Sequence, residues 1–345
     1  MSNKKTTIHD IANELDITAS TVSRALQDNP RISDSTKKLV LETAEKLNYQ
    51  PNSIAAALRK GKSNIIGVII PMADRDFFAS VIRGVEEIVN KSGYRVIISQ
   101  SNDSPEKEKS NIKALLESQV DGILASYAKA TTEFEHYEEV VKRGVPLILF
   151  DRLHETLESL PVRAVVIDDY LGAYKATEHL IEQGCKRIVH FSGQQHISIY
   201  KERRRGYEEA LKRNDLPVDE SLIIESNLKL EAGRELGKKL LSWDKLPDAI
   251  FSASDYGAVG AMEIFKKHGI KIPDDIALVG FSNESFTSFV EPSLTTVDQH
   301  GEKMGQIAAE LFLEQMDKKD ATLTQSKTVL NPELIIRESS KKKTQ

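Results

Sequence analysis

Apolar positions along this chain follow two rhythms, and the change between them falls near residue 62. Before it, the spacing is helical: Ile8, Ile11, Ala12 and Leu15 stand at i, i+3, i+4 and i+7. Thr7 followed three residues later by Asp10 has the form of a capping box, which satisfies the orphan amides of a first helical turn. Asp16-Ile17 makes a tight turn, and Thr18 is placed to cap a second helix over residues 19–26 with Val22, Ala25 and Leu26 turned inward. A third helix is predicted over about 34–47, capped by Ser33, with Leu39, Val40, Thr43, Ala44 and Leu47 inward and Tyr49 closing the small core. Two short helices joined this tightly and followed by a third make a helix-turn-helix.

Beyond residue 62 the apolar residues gather into short runs at 65–70, 94–98, 120–125, 145–150, 164–167, 187–191, 221–224, 249–251 and 276–279. Amphipathic stretches at 79–91, 105–118, 133–143, 170–183, 201–213, 231–241 and 256–268 separate most of them. Short buried strands alternating with helices predict an α/β body with parallel sheets covered on both faces. About 280 residues exceed one comfortable core, so two lobes are expected. A helix at 300–316 and an extended run at 327–336 come late, and are expected to return and complete the lobes by extra crossovers.

The second helix has the makings of a recognition helix. Ala19 and Ser20 are small enough to let its N-terminus enter a major groove, and Arg24 is the best donor for a guanine edge. Thr18, Thr21 and Ser23 carry short hydroxyls suited to phosphate oxygens, which position a helix without specifying sequence. The bland alternative is three surface helices of a larger enzyme with a solvated Arg24. Charge favours the first reading modestly: residues 1–62 hold ten Lys or Arg against seven Asp or Glu, a formal +3. The whole chain has 47 basic and 52 acidic residues, net −5, which leaves −8 for the rest. Residues 51–61 read Pro-Asn-Ser-Ile-Ala-Ala-Ala-Leu-Arg-Lys-Gly, a short Ala-rich helix that is too brief to persist alone in water. It suits ordering on a target, with Leu58 as an apolar wedge for the minor groove, or else it is an ordinary linker helix.

In open α/β sheets ligands bind beyond the carboxyl ends of the strands. Those positions hold Phe77 and Phe78, Asn102 and Asp103, Asp151 and Arg152, Asp168 and Asp169, Ser254 and Asp255, and Asn283. Carboxylates accept from polyol hydroxyls, Arg donates to oxygens and an aromatic face stacks on a sugar ring. Each Asp has a competing role as a helix cap or loop anchor, for Asp168 and Asp169 above all. His9, His196 and His268 are not at metal-ligand spacing, Cys185 stands alone, and no Gly-x-Gly-x-x-Gly or Walker-type loop is present, so neither a metal, a cofactor nor catalysis is expected.

The chain resembles the lactose/galactose repressor family of bacterial transcription regulators. The resemblance is carried by Thr7-Ile8-His9-Asp10-Ile11-Ala12, Thr21-Val22-Ser23-Arg24-Ala25-Leu26 and Leu47-Asn48-Tyr49-Gln50-Pro51-Asn52 in the head, and continues through Ala55-Ala56-Ala57-Leu58-Arg59. The body adds Ile66-Gly67-Val68-Ile69-Ile70-Pro71, Pro146-Leu147-Ile148-Leu149-Phe150-Asp151-Arg152, Arg203-Arg204-Arg205-Gly206-Tyr207, Ala253-Ser254-Asp255-Tyr256-Gly257 and Pro292-Ser293-Leu294-Thr295-Thr296-Val297. It implies a helix-turn-helix domain at 1–50, a hinge helix and linker at 51–62, and a two-lobed body at 63–338 similar to periplasmic sugar-binding proteins. Lobe 1 is expected at about 64–163 and 296–323, lobe 2 at about 164–292 and 324–338, and a disordered tail at 339–345. It further implies that Ala19, Ser20 and Arg24 read bases, that Thr7, Thr18, Thr21, Ser23 and Asn52 face or position phosphates, and that Ala55 and Leu58 belong to paired hinge helices. Asp151, Arg203 and Asp255 match polar effector contacts, with Phe77 and Phe78 near an aromatic wall, while Asp103 and Asn283 join them from the strand-end reading.

The expected function is thus a DNA-binding transcriptional regulator, a repressor controlled by a small sugar-like effector, with double-stranded operator DNA and a second copy as partners and a cytoplasmic, nucleoid-associated location. Many relatives have Asn where Asp169 stands and Gly-Phe-Asp-Asp where this chain has Gly280-Phe281-Ser282-Asn283, so no familiar effector transfers. The C-terminal residues show no leucine heptad, so a dimer is expected rather than a tetramer. An activator of the same family uses the same parts. A periplasmic sugar-binding protein shares the body but leaves the head unexplained, and the N-terminus reads as no export segment and the chain as having no membrane span. A sugar-modifying or nucleotide-binding enzyme is the remaining alternative.

Overall fold

The computed structural model describes residues 6–49, 62–317 and 323–342. They form two compact units, Met1–Ser63 and Asn64–Gln345. The first contains helices α1 (Ile8–Glu14), α2 (Ala19–Leu26) and α3 (Asp34–Lys46). At the start of α1 the Asp10 carboxylate accepts from both the amide and the hydroxyl of Thr7, at 2.7 and 2.8 Å. Thr18 and Ser33 cap α2 and α3 by accepting from the amides of Thr21 and Thr36. Asp16 turns the chain between α1 and α2 at φ 52°, a left-handed conformation that Asp tolerates better than most residues. Ile11, Ala12, Val22, Ala25, Val40 and Ala44 form the core, with Tyr49 packed against it. Leu39, expected inward, is instead half exposed, because Val40, Thr43 and Ala44 already fill the narrow inward face of α3.

The second unit is two sheets of six strands. The first has the order β11-β5-β4-β3-β1-β2, built from β1 (Ile65–Ile70), β2 (Arg95–Gln100), β3 (Gly122–Ala125), β4 (Leu147–Phe150), β5 (Arg163–Ile167) and β11 (Ser326–Leu330). All its pairings are parallel. Alternation along its strands divides two cores: Ile66, Val68 and Ile70 pack under α4 (Asp76–Lys91) and α12 (Gly301–Asp317). Ile69, Ile123 and Leu149 face the other side, under α5 (Pro105–Glu117) and α6 (Glu135–Lys142), and a single turn, α7 (Glu155–Glu158), follows β4. Because both faces are covered at the inner strands, β1, β3, β4 and β5 read as nearly continuous apolar runs, while the edge strands β2 and β11 stay partly exposed.

The second sheet has the order β12-β10-β9-β8-β6-β7, from β6 (Ile188–Ser192), β7 (Ile223–Glu225), β8 (Ala249–Ser252), β9 (Ala277–Phe281), β10 (Thr295–Asp298) and β12 (Glu333–Ile335). It is parallel except for β12, which runs antiparallel to β10. Helices α8 (Asp169–Glu182) and α9 (Ser198–Arg213) bury Ile188, Phe251 and Val279 on one face, while α10 (Leu230–Leu241) and α11 (Asp255–Lys267) bury Val189, Ile250 and Leu278 on the other.

Three corrections to the expected lobe limits follow. Residues 164–167 lie in β5 of the first sheet, residues 296–298 in β10 of the second, and residues 324–330 contain β11 of the first. The extended run at 327–336 is two strands in different sheets, broken at Asn331-Pro332, since proline cannot continue a ladder. The chain thus passes between lobes after β5, after β10 and after β11. The start of the expected disordered tail is also corrected: Ser339 and Ser340 are fully buried. Ser339 Oγ donates to Leu278 O at 2.6 Å, and Ser340 Oγ lies 2.7 Å from His179 Nε2.

Candidate functional site

In the head, α2 presents Ser20 and Arg24 to solvent, with Ala19, Thr21 and Ser23 partly covered. The hydroxyl of Thr18 lies 2.8 Å from Ser20 Oγ and 2.9 Å from Thr21 Oγ1, so one short network fixes the hydroxyls at the N-terminus of this helix. Arg24 is exposed one turn further on, beyond the inward pair Val22 and Ala25. Thr7 stands exposed at the start of α1. Small residues and hydroxyls followed by one long donor is an arrangement able to meet phosphates and a base edge together. Asn52, Ala55 and Leu58 lie outside the described residues.

Between the lobes lies a cleft of about 430 Å³, at the carboxyl ends of both sheets. Phe77, Phe78, Asp103, Asp151 and Arg203 all line it, as expected. Several strands end there in left-handed backbone: Asn102 and Asp103 after β2, Asp151 after β4, Ser282 and Asn283 after β9. In the first lobe Arg152, nearly buried, donates to Asp103 Oδ1 at 2.8 Å and to Tyr127 O at 2.7 Å, and its Nε lies 3.5 Å from Asp151 Oδ2. Burial works to raise the Asp103 carboxyl, but Arg152 and Lys129 outweigh it and hold Asp103 below the usual range. Burial wins at Asp151 and pushes it up, against Arg152 and Arg203.

In the second lobe Arg203 is locked from several sides. Its Nε donates to Asp169 Oδ1 at 2.8 Å, Nη1 to Ala253 O at 2.8 Å and Nη2 to Gln299 Oε1 at 3.2 Å. Its guanidinium lies 3.6 Å from the Phe281 ring centroid. Burial raises the Asp169 carboxyl to about 7 even though Arg203 opposes it. Asp169 is therefore a support for Arg203, and Asp168 caps α8 by accepting from Leu171 N at 2.8 Å.

Two expected contacts are corrected. Asp255 does not line the cleft: it is fully buried beneath it, accepting from Thr296 Oγ1 at 2.5 Å and from Glu284 N at 2.9 Å. As the first residue of α11 its carboxylate turns inward to satisfy those donors, and Ser254 takes the lining position. Asn283 is also outside the cleft, held between Asp298 Oδ2 and Arg337 Nη2 at 2.9 Å each.

Sequence reasoning missed Arg75, Lys129, Tyr200, Tyr256, Glu284 and Gln299, all of which line the cleft. Gln299 follows β10 and Lys129 follows β3, so the strand-end rule reaches both once every strand is counted. Glu284 follows β9 and Tyr256 follows β8 no less closely, so the same rule reaches them as well. These residues also join the lobes. Glu284 Oε2 accepts from Asp76 N at 2.8 Å, Asp76 Oδ2 accepts from Ser285 N at 2.8 Å, and Tyr256 OH donates to Asp74 O at 3.3 Å. Elsewhere His196 Nε2 lies 3.1 Å from Lys129 O. Among the described residues no group of His, Cys, Asp and Glu is arranged to hold a metal ion, and no helix is long and apolar enough to cross a membrane.

Comparison with known proteins agrees with both parts. Residues 7–52 match the family described as bacterial regulatory proteins, lacI family, and residues 177–340 match a periplasmic binding protein-like domain. Catabolite control protein A of Priestia megaterium is 35% identical, over 92% of this chain and 96% of that protein. The ribose operon repressor of Halalkalibacterium halodurans is 32% identical over 97% of each. Among solved structures, a periplasmic binding protein/LacI transcriptional regulator from Alkaliphilus metalliredigens, complexed with D-xylulofuranose, superposes with a TM-score of 0.69 at 25% identity, covering 81% of this chain and 100% of that one. With head and body matched in this order along nearly the whole chain, the protein belongs to the lacI family of bacterial regulatory proteins: it is a sequence-specific DNA-binding transcriptional regulator and not an enzyme.

Proposed function

We propose that this regulator is a dimeric repressor released from, or driven onto, its operator by a sugar or sugar derivative held between the lobes. Two heads enter successive major grooves of a pseudo-palindromic site on the nucleoid, with Ala19, Ser20 and Arg24 at base edges and Thr7, Thr18, Thr21, Ser23 and Asn52 at phosphates. Residues 51–60 of the two subunits pair through Ala55 and insert Leu58 into the central minor groove. Effector contacts come from Phe77, Phe78, Asp103, Asp151 and Arg203, joined by Arg152, Ser254 and Gln299. Closing the lobes about the three crossovers shifts the first lobes of the dimer and biases hinge-helix formation.

The observation that carries this reading is the cleft itself, enclosed between two lobes at the strand ends and lined by carboxylates, guanidinium groups and aromatic rings. Sugar chemistry is supported by the ribose operon repressor among the relatives and by D-xylulofuranose in the solved neighbour. The test begins by selecting an operator from random duplex DNA with the full chain. Arg24→Ala and Leu58→Ala are each expected to weaken binding to the selected site at least about tenfold in gel-shift titrations, the scale of one good base contact. Affinities equal to the unmodified protein would refute the assigned roles.

A further inference from the structure

We infer that the cleft is built for an anionic sugar derivative, one bearing a carboxylate or a phosphate, in preference to a neutral polyol; this rests on reading the cleft as the effector site. The argument is one of charge left over after the internal pairs are formed. Arg75, Lys129, Arg152, Arg203 and Lys229 line the cleft, against Asp103, Asp151 and Glu284. Arg152 lies against both Asp103 and Asp151, with the Lys129 charge acting on the same two carboxylates from further off, and Arg203 is matched by Asp169 behind it. Two of the carboxylates that would receive polyol hydroxyls are therefore already bound to a guanidinium.

Three lining cations stand outside these pairs: Lys229, which is exposed, and Lys129 and Arg75 in the cleft wall. Lys129 sits partly buried, its backbone tied to Asp103 and His196, while its ammonium is directed over the Tyr200 ring at 5.1 Å and has no hydrogen bond or ion pair with any described residue. The Arg75 guanidinium lies flat on Tyr256 at 3.6 Å, and its nearest carboxylate, Asp74, stands 3.9 Å away. Arg152 adds a buried Nε that makes no hydrogen bond, with Asp151 Oδ2 3.5 Å from it. The backbone agrees. Helices α4, α9 and α11 all begin at the cleft, where Phe77, Ile199 and Ser254 line it, and the starting end of a helix favours negative charge. Placing a neutral ligand here leaves partly desolvated donors without acceptors, whereas an anionic group supplies them.

The test is calorimetric titration of the full-length protein with D-glucose, D-galactose and D-mannose beside their uronates and 6-phosphates. At least one anion is expected to bind about tenfold or more tightly than its neutral parent, with affinity falling as NaCl rises. Lys129→Met is expected to remove about ten- to a hundredfold of the anion's affinity and little of the parent's. The salt series on the unmodified protein gives an answer even if that variant folds poorly. Preference for uronates or for 6-phosphates identifies which anionic group is read. Binding of a neutral parent at equal or greater strength overturns the inference and leaves the proposed function standing, whereas no binding by any member overturns both.

Discussion

Arg203 ties the cleft to the second lobe's core, and its partner Asp169 explains why it can be buried. An isolated guanidinium at that depth is costly, and the carboxylate together with two oxygen acceptors offsets the cost. Arg203→Ala is expected to lower stability by about 3–5 kcal/mol in urea unfolding, because it strands a buried carboxylate. Glu284 makes the opposite bargain. Burial, with Asp255 and Asp76 close by, raises its carboxyl from 4.5 to about 7 against the Asp76 amide bond. Between those values the folded protein holds a proton that the unfolded chain has released, so this contribution is complete below pH 4.5 and lost as pH rises through 7. Glu284→Gln keeps an acceptor for the Asp76 amide but removes the titration. Its stability relative to the unmodified protein should improve by up to about 3 kcal/mol from pH 4.5 to pH 7.5; a constant difference across that range would refute the assignment.

Elements were legible where packing is local. The head's three helices follow from caps and spacing, since α2 ends where the apolar stripe ends. Strands buried on both faces announce themselves as unbroken apolar runs, as Ile65–Ile70 does. The β10 strand did not, because Thr295 and Thr296 are buried hydroxyl residues whose partners come from Ser339, Ser340 and Asp255. Close helix contacts are likewise set by distant chain. A Cβ on Gly84 would stand 2.0 Å from Glu302 O, and one on Gly305 2.0 Å from Val81 O, so α4 and α12 touch backbone to backbone. Gly84→Ala should therefore cost about 1–3 kcal/mol by overpacking and lower the Tm by several degrees. An unchanged Tm would mean that the two helices separate without penalty.

At the scale of the molecule, three passages of chain join lobes that also meet directly through Asp76, Glu284, Ser285 and Tyr256. A ligand that prefers one arrangement of the lobes shifts their equilibrium only by its differential affinity. Linkage then requires reciprocity: any small molecule that changes operator affinity by some factor must have its own affinity changed by the same factor when the protein is saturated with operator. Paired calorimetric titrations with and without the selected duplex measure this factor, and an effector affinity that operator leaves unchanged would exclude control of the head through the cleft.

The order of amino acids was sufficient for the division into a helical head and an α/β body, for most elements, and for seven cleft residues at strand ends, Phe77, Phe78, Asn102, Asp103, Asp151, Arg152 and Ser254, with Arg203 added by the family resemblance alone. Those features depend on spacing within one helix or strand, and on the rule that ligands meet strand ends. Folding in three dimensions allotted β5, β10 and β11 to their sheets, drew Ser339 and Ser340 into the core and turned Asp255 beneath the cleft floor. It also laid Arg75 on Tyr256 and joined Glu284 to Asp76 across the lobes. Each of these rests on contacts between residues far apart in the chain, and no local pattern encodes which buried donor a carboxylate will meet.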